Sequence, residues 1–183
     1  MYEEGRFATH DGEELFECRW LPEQPLRAHL VLIHGYGEYC GRYAHVAAAF
    51  NAAGISVHAY DQRGYGRSPG RRAYIHDFDV LMADLDAYLA HVAPQLEDAP
   101  RFMMGHSMGG LVLATHAVTK EVQAQGLVFS SPFLAFPDDV PKILLAVAPT
   151  LGTLLPCLPV GGVDNTGLSR DPEVVAAADA DPL

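Results

Sequence analysis

Hydrophobic and polar positions change period several times along the chain, and each change marks an element. Residues Gly5–Thr9 and Glu14–Leu21 flank Asp11-Gly12, a dipeptide that favours tight turns, so the chain is expected to begin with an antiparallel β-hairpin. Leu30-Val31-Leu32-Ile33 is a continuous apolar run, the signature of a strand buried on both faces. A helix over Tyr43–Ala53 stopped by Gly54, a strand over Ile55–Tyr60 and a helix over Asp77–Val92 follow. In that second helix Phe78, Leu81, Leu85, Tyr88, Leu89 and Val92 recur at three- and four-residue intervals and form one apolar face. Asp77 is placed to cap it and Pro94 to mark its end. A strand over Phe102–Gly105, a helix over Met108–Thr119 and a strand over Leu127–Ser130 continue the alternation. Strands alternating with helices predict an α/β fold, with a mainly parallel sheet covered by helices on both faces. Ligands bind such sheets beyond the carboxyl ends of the strands.

After Ser131-Pro132 the pattern changes, and the chain is expected to divide into a core, 1–131, and an apolar cap segment, 132–183. Residues Val140–Val160 are dense in Leu, Ala, Val and Pro, and prolines at 141, 149, 156 and 159 are expected to break up any long helix. The same prolines, with Lys142 and Gly152, disfavour a membrane-spanning helix. Such a cap is suited to holding an acyl chain or resting on a membrane or micelle. Plain packing of cap helices onto the core explains part of the apolarity without any ligand.

The chemistry concentrates at two glycine turns. Gly105-His106-Ser107-Met108-Gly109 stands between a strand and a helix, which is the order of a nucleophile elbow. Glycines two before and two after the serine remove side chains that would collide with the neighbouring strand and helix. Ser107 is the candidate nucleophile, and the N–H of Met108 is a candidate oxyanion donor. The buried run at Leu30–Ile33 ends in His34-Gly35-Tyr36-Gly37-Glu38, a second turn whose Tyr36 N–H is the candidate second donor.

Four segments carry a family resemblance: His34–Tyr43, Asp61–Ser68, Gly105–Gly110 and Ser130-Ser131-Pro132. Their order and spacing resemble the monoacylglycerol lipase and lysophospholipase branch of the α/β-hydrolases, from about Arg27 to Leu183, with Leu168–Asp171 and Ala180–Leu183 resembling its cap. The resemblance implies that Ser107 attacks the carbonyl of a single-acyl lipid ester and that Tyr36 and Met108 hold the oxyanion. It gives His34 and His106 bracing roles, with Gly35, Gly37, Gly105 and Gly109 shaping the site. It implies no metal and no organic cofactor.

In this superfamily the triad acid and then the histidine follow the serine along the chain, yet the one histidine after Ser107 is His116, inside the helix leaving the elbow. The chain is therefore expected to lack the last core strands and the base they carry, and to need that segment, covalently or as a second chain. Asp138 and Asp139 are an alternative acid pair; a solvated pair opening the cap is the plainer reading. A general base must lie within hydrogen-bond reach of Ser107, which is the test for His34 and His106. A catalytically silent lipid-binding protein remains as a rival, as do thioesterase, peptidase and perhydrolase activities of the same fold.

Composition adds limits. A chain of 183 residues with a net charge of −11 can bury one sizeable core, and its charge argues against nucleic acid and anionic membrane as nonspecific partners. Arg63, Arg67, Arg71 and Arg72 form the basic cluster, read as a solvated loop with local ion pairs rather than a phosphate site. Cys18, Cys40 and Cys157 suggest neither a disulfide framework nor a zinc site, and no signal or transit peptide is indicated, so a cytoplasmic location is expected.

Overall fold

The computed structural model describes residues 1–96, 99–136, 140–154, 167 and 169–182. The hairpin is formed by β1 (Tyr2–Ala8) and β2 (Glu14–Trp20), with Ala8 opposite Glu14 and Tyr2 opposite Trp20. Its first strand starts three residues earlier than the hydrophobic pattern indicates. β1 is an outer strand that buries only Phe7, so its opening residues carry no apolar alternation; Tyr2 earns its place by packing on Trp20, ring centroids 5.5 Å apart. Gly12 takes φ +87°, the left-handed conformation the turn requires.

The alternating elements then follow as β3 (Ala28–Ile33), α1 (Ala44–Ala52), β4 (Ile55–Tyr60), α2 (Phe78–Val92), β5 (Arg101–His106), α3 (Met108–Thr119) and β6 (Gly126–Ser130). A 3₁₀ turn over Cys40–Tyr43 precedes α1, which displaces its start by one residue from the expected position. The Asp77 carboxylate accepts from Asp79 N at 3.0 Å and caps α2, and Pro94 lies in the 3₁₀ turn after it. The strands form one mixed sheet in the order β1-β2-β4-β3-β5-β6. The hairpin joins it antiparallel through β2 and β4, and the remaining pairs are parallel.

Strand β3 is buried along its whole length, and alternate side chains enter different cores. Val31 and Ile33 pack with Leu81, Leu85, Tyr88 and Leu113 from α2 and α3; Leu30 and Leu32 pack with Ala47 of α1, Val57 and Ala59. Helices thus cover both faces, which explains why β3 reads as an unbroken apolar run. At the other border β6 leaves Val128 and Phe129 exposed.

Contacts divide the chain into two compact units, 1–136 and 137–183. The second contains α4 (Lys142–Leu154) and α5 (Pro172–Asp179). Helix α4 starts after Pro141 and runs through Pro149 for 13 residues, so Pro149 does not break it as expected, while Pro156 and Pro159 lie outside the described residues. Proline withdraws one intrahelical donor, and here the helix continues past the missing bond. Ile143, Val147, Leu151 and Leu154 are exposed on it at intervals of four, four and three. In α5, Asp171 accepts from Glu173 N at 2.9 Å, with Pro172 at the first turn. Glu97, Asp98, Asp138, Asp139, Cys157, Leu168 and Leu183 lie outside the described residues.

One ion-pair cluster ties the hairpin to the core. Arg63 donates to Asp11 at 2.8 and 3.0 Å and to the fully buried Asp84 of α2 at 2.8 and 3.0 Å. The guanidinium holds the Asp11 carboxyl far below its usual range. His10, Asp11 and Asp84 bring ligand atoms within 4.8 Å of one another, but Arg63 already neutralises both carboxylates. Arg67 pairs with Glu4 at 2.8 Å, in line with a loop of local ion pairs. Removing one member of a buried pair strands the other, so Asp84→Ala should lower the unfolding free energy by about 3 kcal/mol in urea titrations. Replacing Arg63 and Asp84 together should cost less than the sum of the single changes.

Candidate active site

Ser107 follows β5 with φ +49° and ψ −116°, a region that L residues rarely occupy. Such a conformation costs on the order of 1–3 kcal/mol and persists only where its surroundings enforce it. Here they do. Ser107 N donates to Ser130 O at 3.0 Å, and Ser107 O accepts from Leu111 N at 3.1 Å and from Phe133 N at 3.0 Å. The surrounding glycines are required by close approach. A Cβ on Gly105 would run into the Gly109 carbonyl, and one on Gly109 into the carbonyls of Ile33 and His34. A Cβ on Gly110 would stand 2.8 Å from Pro132 Cβ. The first turn of α3 is thereby pressed against the end of β3.

The second turn leaves β3 toward the same place. A Cβ on Gly35 would lie 3.0 Å from Ser107 Cβ and 3.3 Å from His106 O, so the two turns touch. Tyr36 and Gly37 come next, Gly37 at φ +70°. The Tyr36 ring is half exposed and meets Tyr65 edge-on at 5.8 Å. Gly35 N–H donates to Glu38 Oε1, which also accepts from Tyr43 OH at 2.7 Å. Burial and that carboxylate push the Tyr43 phenol well above its usual range. Met108 is the first residue of α3, where helix N–H groups have no intrahelical partner.

Topology selects this place. From β3 the chain crosses through α1 to β4 on one side, and from β5 it crosses through α3 to β6 on the other. Adjacent strands whose connections leave in opposite directions open a crevice at their carboxyl ends, and both turns sit there. A separate cavity of about 350 Å³, lined by Leu89, Met103, Lys120 and others, contains neither turn.

The nine histidines are all described, and no hydrogen bond joins any of them to Ser107 Oγ. His34 is fully buried; its Nε2 accepts from Gln62 N at 2.8 Å, which leaves Nδ1 to donate to Gly35 O at 2.8 Å. Burial lowers its pKa, so the ring is neutral with both nitrogens engaged. His106 places Nδ1 3.0 Å from Ser130 O and 3.1 Å from Ser130 Oγ. His116 is buried in α3 with Nε2 2.9 Å from Asp86 Oδ1. His29 and His58 flank Ser56 Oγ at 2.6 and 3.0 Å, and burial pushes His58 down to about 3.

Three polar residues that hold the turns carry no role in the sequence reading beyond their place in the motifs. Glu38 fixes Gly35; Gln62 holds His34 through N–H to Nε2 and through its side-chain amide to His34 O at 2.6 Å. Asp61 is fully buried and accepts from Cys40 N and Arg67 N, each at 2.8 Å. Their signal is positional: each lies within five residues of the end of a buried strand, where a polar side chain has backbone to satisfy.

Comparison with known proteins gives the same frame. The family model described as serine aminopeptidase, S33, matches residues 24–183. The chain belongs to the serine aminopeptidase S33 family. Relatives of this S33 chain include the monoacylglycerol lipase of Mycolicibacterium smegmatis, 40% identical over 180 residues, which are 98% of this chain and 64% of the relative. The crystal structure of the Paleococcus ferrophilus monoacylglycerol lipase matches at 33% identity with a TM-score of 0.75, covering 100% of this chain and 63% of that one. A soluble variant of the Saccharomyces cerevisiae monoglyceride lipase, solved with a substrate analogue, matches at 26% identity with a TM-score of 0.78, covering 100% and 62%. The S33 chain thus spans less than two thirds of the length of these relatives, and its sheet is that of the α/β-hydrolase fold.

Close approach makes the glycines of this chain unequal. Gly109→Ala should lower stability by roughly 3 kcal/mol or yield insoluble protein, because its Cβ would meet two backbone carbonyls. Gly152→Ala, in α4 with open space around it, should be neutral or stabilising by up to about 1 kcal/mol. Melting curves of the two variants check the contrast.

Proposed function

We propose that the protein is a serine hydrolase of carboxylic esters, acting on monoacylglycerols or lysophospholipid-type single-acyl lipids through an acyl-enzyme on Ser107. The observation that carries this reading is Ser107 at positive φ with Gly35 against it at the carboxyl ends of β3 and β5. In this reading Tyr36 N–H and Met108 N–H form the oxyanion hole, each donor contributing roughly 3 kcal/mol to the transition state. His34 and His106 brace the turns and do not act as bases, in keeping with their bonds to Gln62, Gly35 and Ser130. The names of the relatives support the lipid substrate.

The general base and the triad acid are assigned to protein beyond these 183 residues, supplied covalently or as a second chain. The engaged histidines and the part coverage of the relatives support this. Residues 132–183 are read as part of a cap, and the exposed apolar residues of α4 support contact with a membrane or micelle. Among the described residues no helix is long and apolar enough to cross a membrane. A reducing, cytoplasmic location belongs to the same proposal, supported by the odd number and wide spacing of the cysteines at 18, 40 and 157. A silent lipid-binding protein is the second reading, favoured by the lack of any described base bonded to Ser107. Ser107 by itself does not separate esters from the thioesters, amides or peracids of related hydrolases.

A fluorophosphonate probe should label Ser107 in the protein extended to the length of its relatives, and Ser107→Ala should abolish labelling and short-chain ester hydrolysis. Labelling that persists in the variant would place the nucleophile elsewhere. The same protein should hydrolyse monoacylglycerols faster than emulsified triacylglycerols, and the reverse order contradicts the substrate class. Residues 1–183 alone should turn over esters negligibly; robust Ser107-dependent turnover would show that a base already present serves.

A further inference from the structure

Cys18 and Cys40 stand 22 positions apart in the chain, and their sulfurs are in contact at 2.9 Å. Both are free thiols, Cys18 fully buried and Cys40 1% exposed, among Phe16, Leu30, Leu32, Val57 and Ala59. Packing accounts for a lone cysteine in such a place, but two facing thiols are what a disulfide needs. Each is anchored independently of its sulfur. Cys18 lies in register between Glu4 of β1 and Ala59 of β4, and Cys40 N–H donates to Asp61 Oδ1 at 2.8 Å.

We propose that Cys18 and Cys40 are a modification site, forming a reversible disulfide that joins β2 to the segment leaving the His34–Gly37 turn. The oxidant is a low-molecular-weight disulfide. One cysteine thiolate attacks it to give a mixed disulfide and release the first small thiol; the second cysteine then displaces the remaining half as a second thiol. Two cysteine S–H bonds and the oxidant's S–S bond are broken, one protein S–S bond forms, and both protons leave with the small thiols. The hydrogen bond with Cys18 and burial push the Cys40 thiol far above its usual range, so attack waits for an opening that hydrates the pair. Once formed, the bond closes a loop that contains β3 and restricts the unfolded chain. It also pins Cys40 two residues after Glu38, the carboxylate that holds Gly35 N–H. This inference does not depend on the role of Ser107.

The test is a peptide map. Purified protein is incubated with oxidised glutathione, with and without sub-denaturing urea, then blocked with N-ethylmaleimide in guanidinium and digested with trypsin. Cleavage after Arg19 and Arg27 separates peptides 7–19 and 28–42, which carry the two cysteines. The expected product is these two peptides linked, separable by reduction, formed faster in urea. Oxidation should also raise the melting midpoint, a shift absent from Cys18→Ser and from Cys40→Ala. Recovery of both peptides alkylated, or bearing glutathione, or linked only to Cys157 or to another chain, overturns the proposal. The wild-type map decides this even where a variant fails to fold.

Discussion

Gly35 and Ser107 approach so closely that a Cβ on the glycine would stand 3.0 Å from that of the serine, tighter than side chains ordinarily pack. This contact dictates much of the surrounding architecture. It requires β3 and β5 to be neighbours, so that the turns leaving them meet, and the parallel pairing of Ile33 with Gly105 supplies that register. It requires α3 to start against the end of β3, which Gly109 allows by bringing no side chain to the carbonyls of Ile33 and His34. It also requires the Gly35 turn to be held from outside. Glu38 takes the Gly35 N–H, and the fully buried His34, fixed by Gln62, takes its stance behind the turn.

The hold extends through buried polar groups. Asp61 joins the 3₁₀ turn at Cys40 to the Arg67 loop, and Arg63 joins that loop to the hairpin and to α2. Asp61 and Asp84, both fully buried, each meet two donors, which is the condition for burying charge without leaving it stranded. The strained Ser107 backbone is thus stabilised by a connected shell. A serine at φ +49° would relax in a looser setting.

Most of this frame was legible in the residues. The unbroken run Leu30–Ile33 predicted a strand covered on both faces, and β3 divides its side chains between two cores for that reason. The spacing of Phe78 to Val92 and the Asp77 cap located α2 to within one residue. The strand–turn–helix order expected around Ser107 is the order of β5, Ser107 and α3. What the pattern missed has physical causes. The opening of β1 is exposed and polar, so no alternation marks it. Helix α4 tolerates Pro149, although proline argues for a break. The contact of Cys18 with Cys40 is a product of tertiary folding that no local spacing reveals. The duties of Glu38, Asp61 and Gln62 depend on which backbone groups the fold brings to them, although their positions beside strand ends were in view.

In the proposed reading the two turns act as one site, with Ser107 as nucleophile and the N–H groups of Tyr36 and Met108 as its oxyanion donors. A crystal structure of the protein at its relatives' full length, with a phosphonate bound covalently, tests it most directly. The expected result is a bond from phosphorus to Ser107 Oγ and a phosphoryl oxygen within hydrogen-bond distance of both Tyr36 N and Met108 N. An adduct on another residue, or a phosphoryl oxygen bonded to neither N–H, would contradict it.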